Sequence, residues 1–152
     1  MIAASSTPLL GEQFCFALYS ASRSLTSRYR ELLAPLGVTY PQYLVLLVLW
    51  ENGTSTVSEL GRRLALDSGT LSPLLRRLEN AGLLSRSRRT DDERSVDVAL
   101  TVAGSELRQL AAGIPQQICS STGLDVVELQ TLQAQIAVLA ERVRASTLPA
   151  VT

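Results

Sequence analysis

The chain has 152 residues, 46% of them hydrophobic, and its fourteen basic and fourteen acidic side chains leave no net charge. This length and composition fit one domain with a packed core rather than a disordered chain. All fourteen basic residues are arginines and there is no histidine, which excludes a Ser-His-Asp triad and a histidine-ligated metal site. The two cysteines, Cys15 and Cys119, are too few for a four-thiolate zinc site, so we expect no metal and no cofactor.

The N-terminal residues 1–10 contain no basic segment followed by an apolar run, so they are not predicted to be a secretory signal. The longest apolar run, 43–50, is too short for a bilayer, which needs about 20 residues. We therefore expect a cytoplasmic protein that has no membrane span and whose thiols are reduced by default.

Apolar residues recur at helical spacing along most of the chain. The first predicted helix covers residues 9–33 and is stopped before Gly37. The second covers residues 40–51, with Thr39 as its N-cap and a glutamine three residues later to complete a capping box. Because this second helix is almost continuously apolar, we expect it to be buried.

Two short helices and a hairpin are predicted next. The first short helix begins after Thr56, which is predicted to cap it together with Glu59. The second covers residues 68–81, where leucines recur at helical spacing. Two short strands, 83–87 and 96–100, enclose the charged loop 88–95. This order is typical of a winged helix-turn-helix, so the predicted fold class is mainly α with a small β wing.

Two further helices are predicted to complete the chain. One opens at Thr101 and reaches residue 120, with a kink near Pro115 because proline interrupts helical hydrogen bonding. The last is capped by Asp125 together with a glutamate three residues later. Its apolar stripe consists of Leu129, Leu132, Ile136, Leu139 and Val143.

Positive charge is concentrated in the predicted helix-turn-helix and hairpin. Between Arg62 and Arg89 the chain has seven arginines and two acidic residues, a net charge of +5. In such folds the second helix enters a major groove of DNA, where arginine binds phosphate or guanine. The alternative is a solvated arginine face on an ordinary helix. The candidate DNA-contacting residues are Ser68, Gly69, Thr70, Ser72, Arg76 and Arg77 on the helix and Arg86, Arg88 and Arg89 on the hairpin.

Six short segments between Thr39 and Gly104 form a specific set. They are Thr39-Tyr40-Pro41-Gln42-Tyr43, Val57-Ser58-Glu59-Leu60, Asp67-Ser68-Gly69-Thr70-Leu71-Ser72, Leu78-Glu79-Asn80-Ala81-Gly82-Leu83, Asp91-Asp92-Glu93-Arg94-Ser95 and Leu100-Thr101-Val102-Ala103-Gly104. Together they resemble the MarR family of dimeric winged-helix transcription regulators. With the flanking helices, the resemblance covers nearly the whole chain.

The resemblance implies one domain, 1–152, that acts as a homodimer on double-stranded operator DNA. The helices at 9–36 and 102–146 would interlock with those of a second copy. The segment 39–101 would form the winged helix-turn-helix that contacts the DNA.

The resemblance also implies roles for two residues at the tip of the hairpin. Arg94 would reach into a minor groove, and Asp92 would brace the loop that carries it. From the residues alone, Asp92 and Arg94 could equally form an exposed ion pair, which is a weak interaction.

The segment 14–19, Phe-Cys-Phe-Ala-Leu-Tyr, together with Tyr29 and Tyr40, is similar to the OhrR branch of this family, whose members sense organic hydroperoxides. The resemblance implies that Cys15 is the sensor and that the partner subunit's Tyr29 and Tyr40 hold it. A second cysteine in the C-terminal half, Cys119, is typical of the two-cysteine subtype. In that subtype it would be the resolving thiol, contributed by the partner subunit.

Helical spacing restricts which of these contacts one chain can make. Cys15, Tyr19 and Tyr29 share one stripe, but Cys15 and Tyr29 are fourteen residues apart, roughly 21 Å along the axis. A contact between Cys15 and Tyr29 therefore needs a second copy, whereas Tyr19 is one turn away and can reach Cys15 locally. The alternatives are a small, buried, unreactive cysteine and tyrosines that only pack a dimer interface.

The predicted function is a homodimeric repressor that binds a pseudo-palindromic operator when reduced and releases it when an organic hydroperoxide oxidises Cys15. Oxidation would give a sulfenic acid that condenses with a second thiol. One alternative is a MarR-type repressor that a small aromatic ligand inactivates, with inert cysteines. Another is a thiol peroxidase using Cys15 and Cys119, which leaves the cationic helix and hairpin unexplained. We therefore expect a regulator and not an enzyme.

Overall fold

Helices dominate the computed structural model, which describes residues 9–146, and a small sheet accompanies them. The helices are α1 Phe14–Leu33, α2 Tyr40–Asn52, α3 Val57–Leu64, α4 Ser68–Asn80, α5 Val102–Ala111, α6 Ile114–Thr122 and α7 Val126–Ala145. The strands are β1 Ser55–Thr56, β2 Leu84–Arg88 and β3 Val96–Leu100. This architecture confirms the predicted fold class. The expectation about a signal segment falls partly on residues 1–8, which lie outside the described residues.

The starts of α2, α3 and α7 follow the predicted capping signals. Thr39 and Asp125 each form a complete capping box, and the Thr56 hydroxyl accepts a hydrogen bond from the backbone nitrogen of Glu59 at 3.1 Å. The first helix begins later than predicted, at Phe14. Gln13 before it is extended, so the preceding residues form only a separate 3-10 turn, Leu10–Glu12.

The single long helix predicted from residue 101 to 120 is wrong, because the chain forms two helices, α5 and α6, with a break at Ala112 and Gly113. Pro115 explains the break: it has no N–H to donate, and its ring clashes with the carbonyl four residues earlier. Gly113 adds to the effect, since glycine is a poor helix former. The break also separates two compact units, one ending at Ala112 and one beginning at Gly113.

The sheet is antiparallel, with β3 in the middle and β1 and β2 at its edges. The hairpin register pairs Leu84 with Leu100 and Arg88 with Val96, so β2 begins one residue later than predicted. Strand β1 was not expected. With only two residues, it is too short to produce an alternating pattern, and its pairing with β3 depends on the tertiary fold.

The core of the first unit lies around α2, which is buried as predicted. Val45, Leu46 and Leu49 of α2 are almost completely inaccessible to solvent. Four leucines of α4, residues 71, 74, 75 and 78, are also buried, as are Leu60, Leu84 and Val98. Within residues 9–146 no single helix is long and apolar enough to cross a bilayer; the segments Phe14–Leu36 and Tyr40–Asn52 meet the length and composition criteria only as a pair, bent by 70°.

A close joint holds the start of α5 against the turn that ends α4. The Thr101 hydroxyl donates to the Gly82 carbonyl at 2.6 Å, and the Trp50 indole donates to the Gly104 carbonyl at 2.9 Å. A Cβ atom at Gly104 would overlap the Leu83 carbonyl oxygen. Glycine is therefore needed at position 104 for α5 to approach this turn.

Candidate DNA interface and thiol site

Helix α4, the second helix of the helix-turn-helix, starts at a well-formed cap. The Asp67 carboxylate accepts hydrogen bonds from the Thr70 backbone nitrogen at 2.8 Å and from the Thr70 hydroxyl at 3.2 Å. These bonds, the backbone one above all, hold the pKa of Asp67 below its ordinary value. Asp67 is therefore ionised at neutral pH, and the Thr70 hydroxyl is engaged within the cap.

The predicted DNA-contacting residues of α4 lie opposite its buried leucines. Ser68, Gly69, Thr70, Arg76 and Arg77 are exposed. Ser72 is half-buried at the edge of the same face. The structure therefore presents these side chains on one exposed surface of α4, while the leucines on the other side fix the helix in the core.

Two of the predicted wing arginines are held by carboxylates. Arg86 pairs with Glu79 of α4 at 2.7 Å, and hydrogen bonds from Arg86 lower the pKa of Glu79. Arg89 pairs with Asp91 at 2.8 Å and lies 4.0 Å from Asp97. These pairs brace the wing, and because they are solvent-accessible their strength is small enough for phosphate to compete. Sequence reasoning missed Glu79 and Asp97 because their partners are distant along the chain.

Four other arginines of α4 and the wing have no carboxylate partner in the part of the chain that the structure describes. Across residues 9–146, no acidic side chain lies within ion-pair distance of Arg76, Arg77, Arg88 or Arg94. All four are exposed. These four guanidinium groups are therefore available to a phosphate backbone.

The tip of the wing is closed by Asp92 through backbone contacts. Its carboxylate accepts from the Arg94 backbone nitrogen at 3.1 Å, and its carbonyl accepts from the Ser95 backbone nitrogen at 2.9 Å. Asp92 therefore contacts the main chain of Arg94 rather than its guanidinium. This arrangement leaves the Arg94 side chain pointing outward on an ordered turn.

Three tyrosines form a cluster between α1 and α2. The rings of Tyr29 and Tyr40 lie 4.3 Å apart, and the ring of Tyr43 lies 5.9 Å from that of Tyr29. Burial, with smaller contributions from Tyr40 and Tyr43, raises the pKa of Tyr29 to about 12. Burial also raises the pKa of Tyr40. Both phenols therefore keep their protons at neutral pH and remain O–H donors.

The two thiols are free, and they lie in different units. Cys15 is exposed near the start of α1, and Cys119 is half-buried in α6 with its sulfur 3.9 Å from the Leu124 carbonyl oxygen. The cluster of Tyr29 and Tyr40 is far from Cys15 in the same chain, because α1 is one continuous helix and fourteen residues span roughly 21 Å. The structure thus brings Tyr29 to Tyr40, as a pair, but brings neither to Cys15.

Tyr19, one turn from Cys15, is engaged by a residue that sequence reasoning did not select. The Arg23 guanidinium donates to the Tyr19 hydroxyl at 3.0 Å and lies 5.6 Å from the centre of its ring. A cleft of about 310 Å³ follows this face of α1. The four-residue spacing of Tyr19 and Arg23 could have indicated this contact from the sequence, because residues four apart are neighbours on a helix surface. The cleft is lined by Tyr19, Ser22, Arg23, Thr26, Ser27 and Arg30.

Helices α3 and α4, joined by a tight turn and followed by the β2–β3 hairpin, define a winged helix-turn-helix DNA-binding protein. A family model described as the MarR family matches residues 38–96. The organic hydroperoxide resistance transcriptional regulator of Bacillus subtilis (strain 168) is 46% identical over 132 residues, which cover 87% of this chain and 90% of that protein. The chain belongs to the MarR family of transcriptional regulators, as its sequence motifs predicted.

Solved structures agree with this assignment. Reduced AbfR bound to DNA matches with a TM-score of 0.76 and 34% identity, covering 89% of this chain and 92% of that one. AbfR in its disulfide form matches with a TM-score of 0.63 and 37% identity, covering 86% and 92%. AbfR is a protein of Staphylococcus epidermidis. The winged-helix fold and the family are therefore both confirmed.

Proposed function

We propose that this protein is a homodimeric repressor that binds operator DNA while Cys15 is reduced and releases it when an organic hydroperoxide oxidises Cys15. One observation carries the proposal. The exposed Cys15 thiol and the paired phenols of Tyr29 and Tyr40 lie roughly 21 Å apart on one chain, so a thiol site that contains all three needs two chains. A second copy, with its α1 crossing the first, completes the site by supplying the partner subunit's Tyr29 and Tyr40.

Exposed apolar side chains support a dimer through the terminal helices. On α1, Phe14 and Tyr19 are more than half exposed, and on α7 Leu132 and Ile136 are 42% and 40% exposed. Burying such side chains yields about 25 cal/mol for each Å² of apolar surface removed from water. Residues 9–36 and 102–146 are therefore proposed as the dimerisation segments, and 39–101 as the DNA-binding segment.

The chemistry follows from the protonated phenols. Their O–H groups donate to a thiolate and stabilise it, and the thiolate is the form that attacks peroxide. Its sulfur displaces alkoxide from the O–O bond, which yields a sulfenic acid and, after protonation, the alcohol. The Cys119 thiol of the partner subunit then attacks the sulfenic sulfur, forming a disulfide and releasing water. Two thiols are oxidised while one hydroperoxide is reduced.

Two relatives support organic hydroperoxide as the signal and DNA binding as the property that it changes. The Bacillus subtilis regulator is named for organic hydroperoxide resistance, and AbfR is known both reduced on DNA and with a disulfide. In this protein, α4 would enter successive major grooves and Arg94 an adjacent minor groove. A Cys15–Cys119 disulfide requires the two Cα atoms to lie within about 7 Å. If closing that distance moves the dimerisation helices, the two α4 helices lose the spacing of successive grooves and DNA is released.

The decisive experiment compares Cys15→Ser with the parent protein on operator DNA before and after cumene hydroperoxide. We expect both to bind when reduced and only the parent to dissociate. A non-reducing gel of the oxidised parent should show a covalent dimer, which Cys119→Ser abolishes. Dissociation of Cys15→Ser at the parent's rate would rule out the proposal, and a ligand-responsive repressor with inert cysteines would then explain the fold better.

A second comparison tests the tyrosines with a matched control. Tyr29→Phe and Tyr40→Phe each remove an O–H donor but keep the ring, so both should slow oxidation of Cys15. Tyr43→Phe makes the same change in a neighbouring ring of the cluster that is not assigned to the thiol, and it should oxidise at the parent's rate. If all three variants oxidise as fast as the parent, the tyrosines are packing residues only.

A further inference from the structure

Helix α4 contains a proline in its interior. Proline is tolerated in the first turn of a helix. Pro73, however, is the sixth residue of α4 and lies beyond that turn. Inside a helix, proline removes a backbone hydrogen bond and is the least favourable residue of all. A proline at this position therefore needs an explanation other than helix formation.

Packing does not explain Pro73. The buried leucines of α4, at positions 71, 74, 75 and 78, define the face that contacts the core. Gly69, Pro73 and Arg76 follow one another at spacings of four and three, which places them on one stripe opposite those leucines. All three are exposed. Pro73 thus lies in the middle of the surface assigned to DNA.

The proline changes what the backbone offers on that surface. In an α-helix the amide of residue 73 donates to the carbonyl of residue 69, but Pro73 has no amide hydrogen. The proline ring also clashes with that carbonyl in a regular helix, so the carbonyl cannot keep its usual alignment. Gly69 has no side chain. The Asp67 Oδ1 lies 3.1 Å from the place its Cβ would take, and the rest of the exposed glycine backbone is open to a close ligand. An acceptor without its helical donor is therefore presented on the exposed stripe.

We infer that the Gly69 carbonyl, freed by Pro73, reads the exocyclic amino group of one base in each half-site of the operator. This inference rests on the proposed DNA-binding function and adds a specificity determinant to it. In the major groove, adenine N6 and cytosine N4 are donors, whereas guanine O6 and thymine O4 are acceptors. A carbonyl oxygen therefore attracts the amino groups of adenine and cytosine and repels the oxygens of guanine and thymine.

The need for an acceptor also explains why the residue is proline. A purely apolar contact to a thymine methyl group can be made by alanine, which is the best helix former. Among the twenty residues, only proline removes the donor and so releases the carbonyl. The loss of helix stability is then matched by a gain in base recognition.

The test uses an operator selected from random DNA duplexes with the reduced parent protein. Affinity is measured by fluorescence anisotropy. At one position in each half-site, the parent should prefer adenine or cytosine over guanine or thymine by about fivefold, the size of one neutral hydrogen bond. Replacing that adenine by purine, or that cytosine by 2-pyrimidinone, deletes only the amino group. This change should weaken binding by a similar factor.

The key variant is Pro73→Ala, which restores the helical donor while keeping an apolar side chain. It should bind the natural and the amino-deleted operators within about twofold of each other, since its carbonyl is again engaged within the helix. Its melting temperature should be higher than the parent's, because α4 regains a hydrogen bond. Pro41→Ala is the control, since Pro41 lies in the first turn of α2, where no hydrogen bond is lost.

Each result of this experiment either supports or contradicts the inference. If Pro73→Ala retains the fivefold penalty for the amino-deleted operator, or the parent shows no such position, the inference is wrong while DNA binding stands. If the Pro41→Ala control loses the base preference as well, the effect is not local to Gly69 and the inference is also wrong. If the reduced parent selects no operator at all, the proposed function fails, and the inference fails with it.

Discussion

Helices α4 and α7 are both rich in apolar residues, but they bury them very differently. Helix α4, in the first compact unit, buries all four leucines at positions 71, 74, 75 and 78. Helix α7, in the second unit, has no buried residue within Val126–Ala145, and Leu132 and Ile136 remain about 40% exposed. One chain therefore completes the core around α4 but leaves the apolar stripe on α7 without a buried residue.

Helix α1 combines both behaviours along its length. Near its C-terminal end, Leu33 is fully buried and Tyr29 packs against Tyr40. At its N-terminal end, Phe14 and Phe16 are exposed. The contrast shows that the end of α1 next to α2 belongs to a core that one chain completes, whereas the start of α1 keeps its apolar side chains exposed. The exposed side chains are available to the proposed dimer interface.

The largest expected effect comes from truncating matched leucines in the two regions. Leu78→Ala removes a fully buried side chain and should lower the free energy of unfolding by about 2–5 kcal/mol at any protein concentration. Leu132→Ala, on α7, should leave the unfolding of the single chain nearly unchanged but weaken dimerisation by about tenfold. Urea denaturation measures the free energy of unfolding, and sedimentation measures the affinity of dimerisation. Equal, concentration-independent destabilisation by both variants would remove the contrast.

The next effect concerns the joint between α4 and α5. Gly104→Ala places a Cβ atom against the Leu83 carbonyl oxygen, so the start of α5 must move away. We expect a loss of about 1–3 kcal/mol in unfolding free energy, together with weaker operator binding because the end of α4 moves with the turn. Gly11→Ala is the control, since nothing lies within 4 Å of its added Cβ. Parent-like stability and binding of Gly104→Ala would contradict this role.

The smallest effect compares the helix caps. Asp67 caps α4 and Asp125 caps α7 through the same carboxylate-to-backbone hydrogen bond. Asp67→Ala should lower the melting temperature by a few degrees, because α4 belongs to a complete core. Asp125→Ala should instead act mainly on dimerisation. Differential scanning calorimetry at several protein concentrations distinguishes an effect on the core from an effect on dimerisation. A concentration-dependent effect of Asp67→Ala would contradict the assignment of its cap to the core.

The Asp67 cap should also depend on pH in a defined direction. The folded-state pKa of Asp67 lies below the ordinary value of 3.8, so its stabilising effect is present above that value and is lost as the pH falls through the lower, folded pKa. The difference in melting temperature between the parent and Asp67→Ala should therefore be constant from pH 5 to 7 and shrink in stronger acid. A difference that grows on acidification would contradict the assignment.

Much of the site could be predicted because its signals are local. The N-caps at Thr39, Thr56 and Asp125 depend on residues three positions apart, so short-range pattern recognises them. The hairpin could be predicted from two short strand-like segments on either side of a charged loop. The position of Cys15 relative to Tyr29 follows from the rise of a helix, which is the same in every protein.

Sequence by itself determined the fold class, the capped starts of α2, α3 and α7, and the separation of Cys15 from Tyr29 along α1, because these depend on local hydrogen bonding and helical geometry. Only the tertiary structure decided that Arg86 pairs with Glu79, that β1 joins the sheet, and that Tyr29 stacks on Tyr40. Each of those contacts joins residues brought together by chain folding over seven or more positions. Likewise, the apolar stripes of α4 and α7 look alike in sequence, and packing alone decided which of them is buried within one chain.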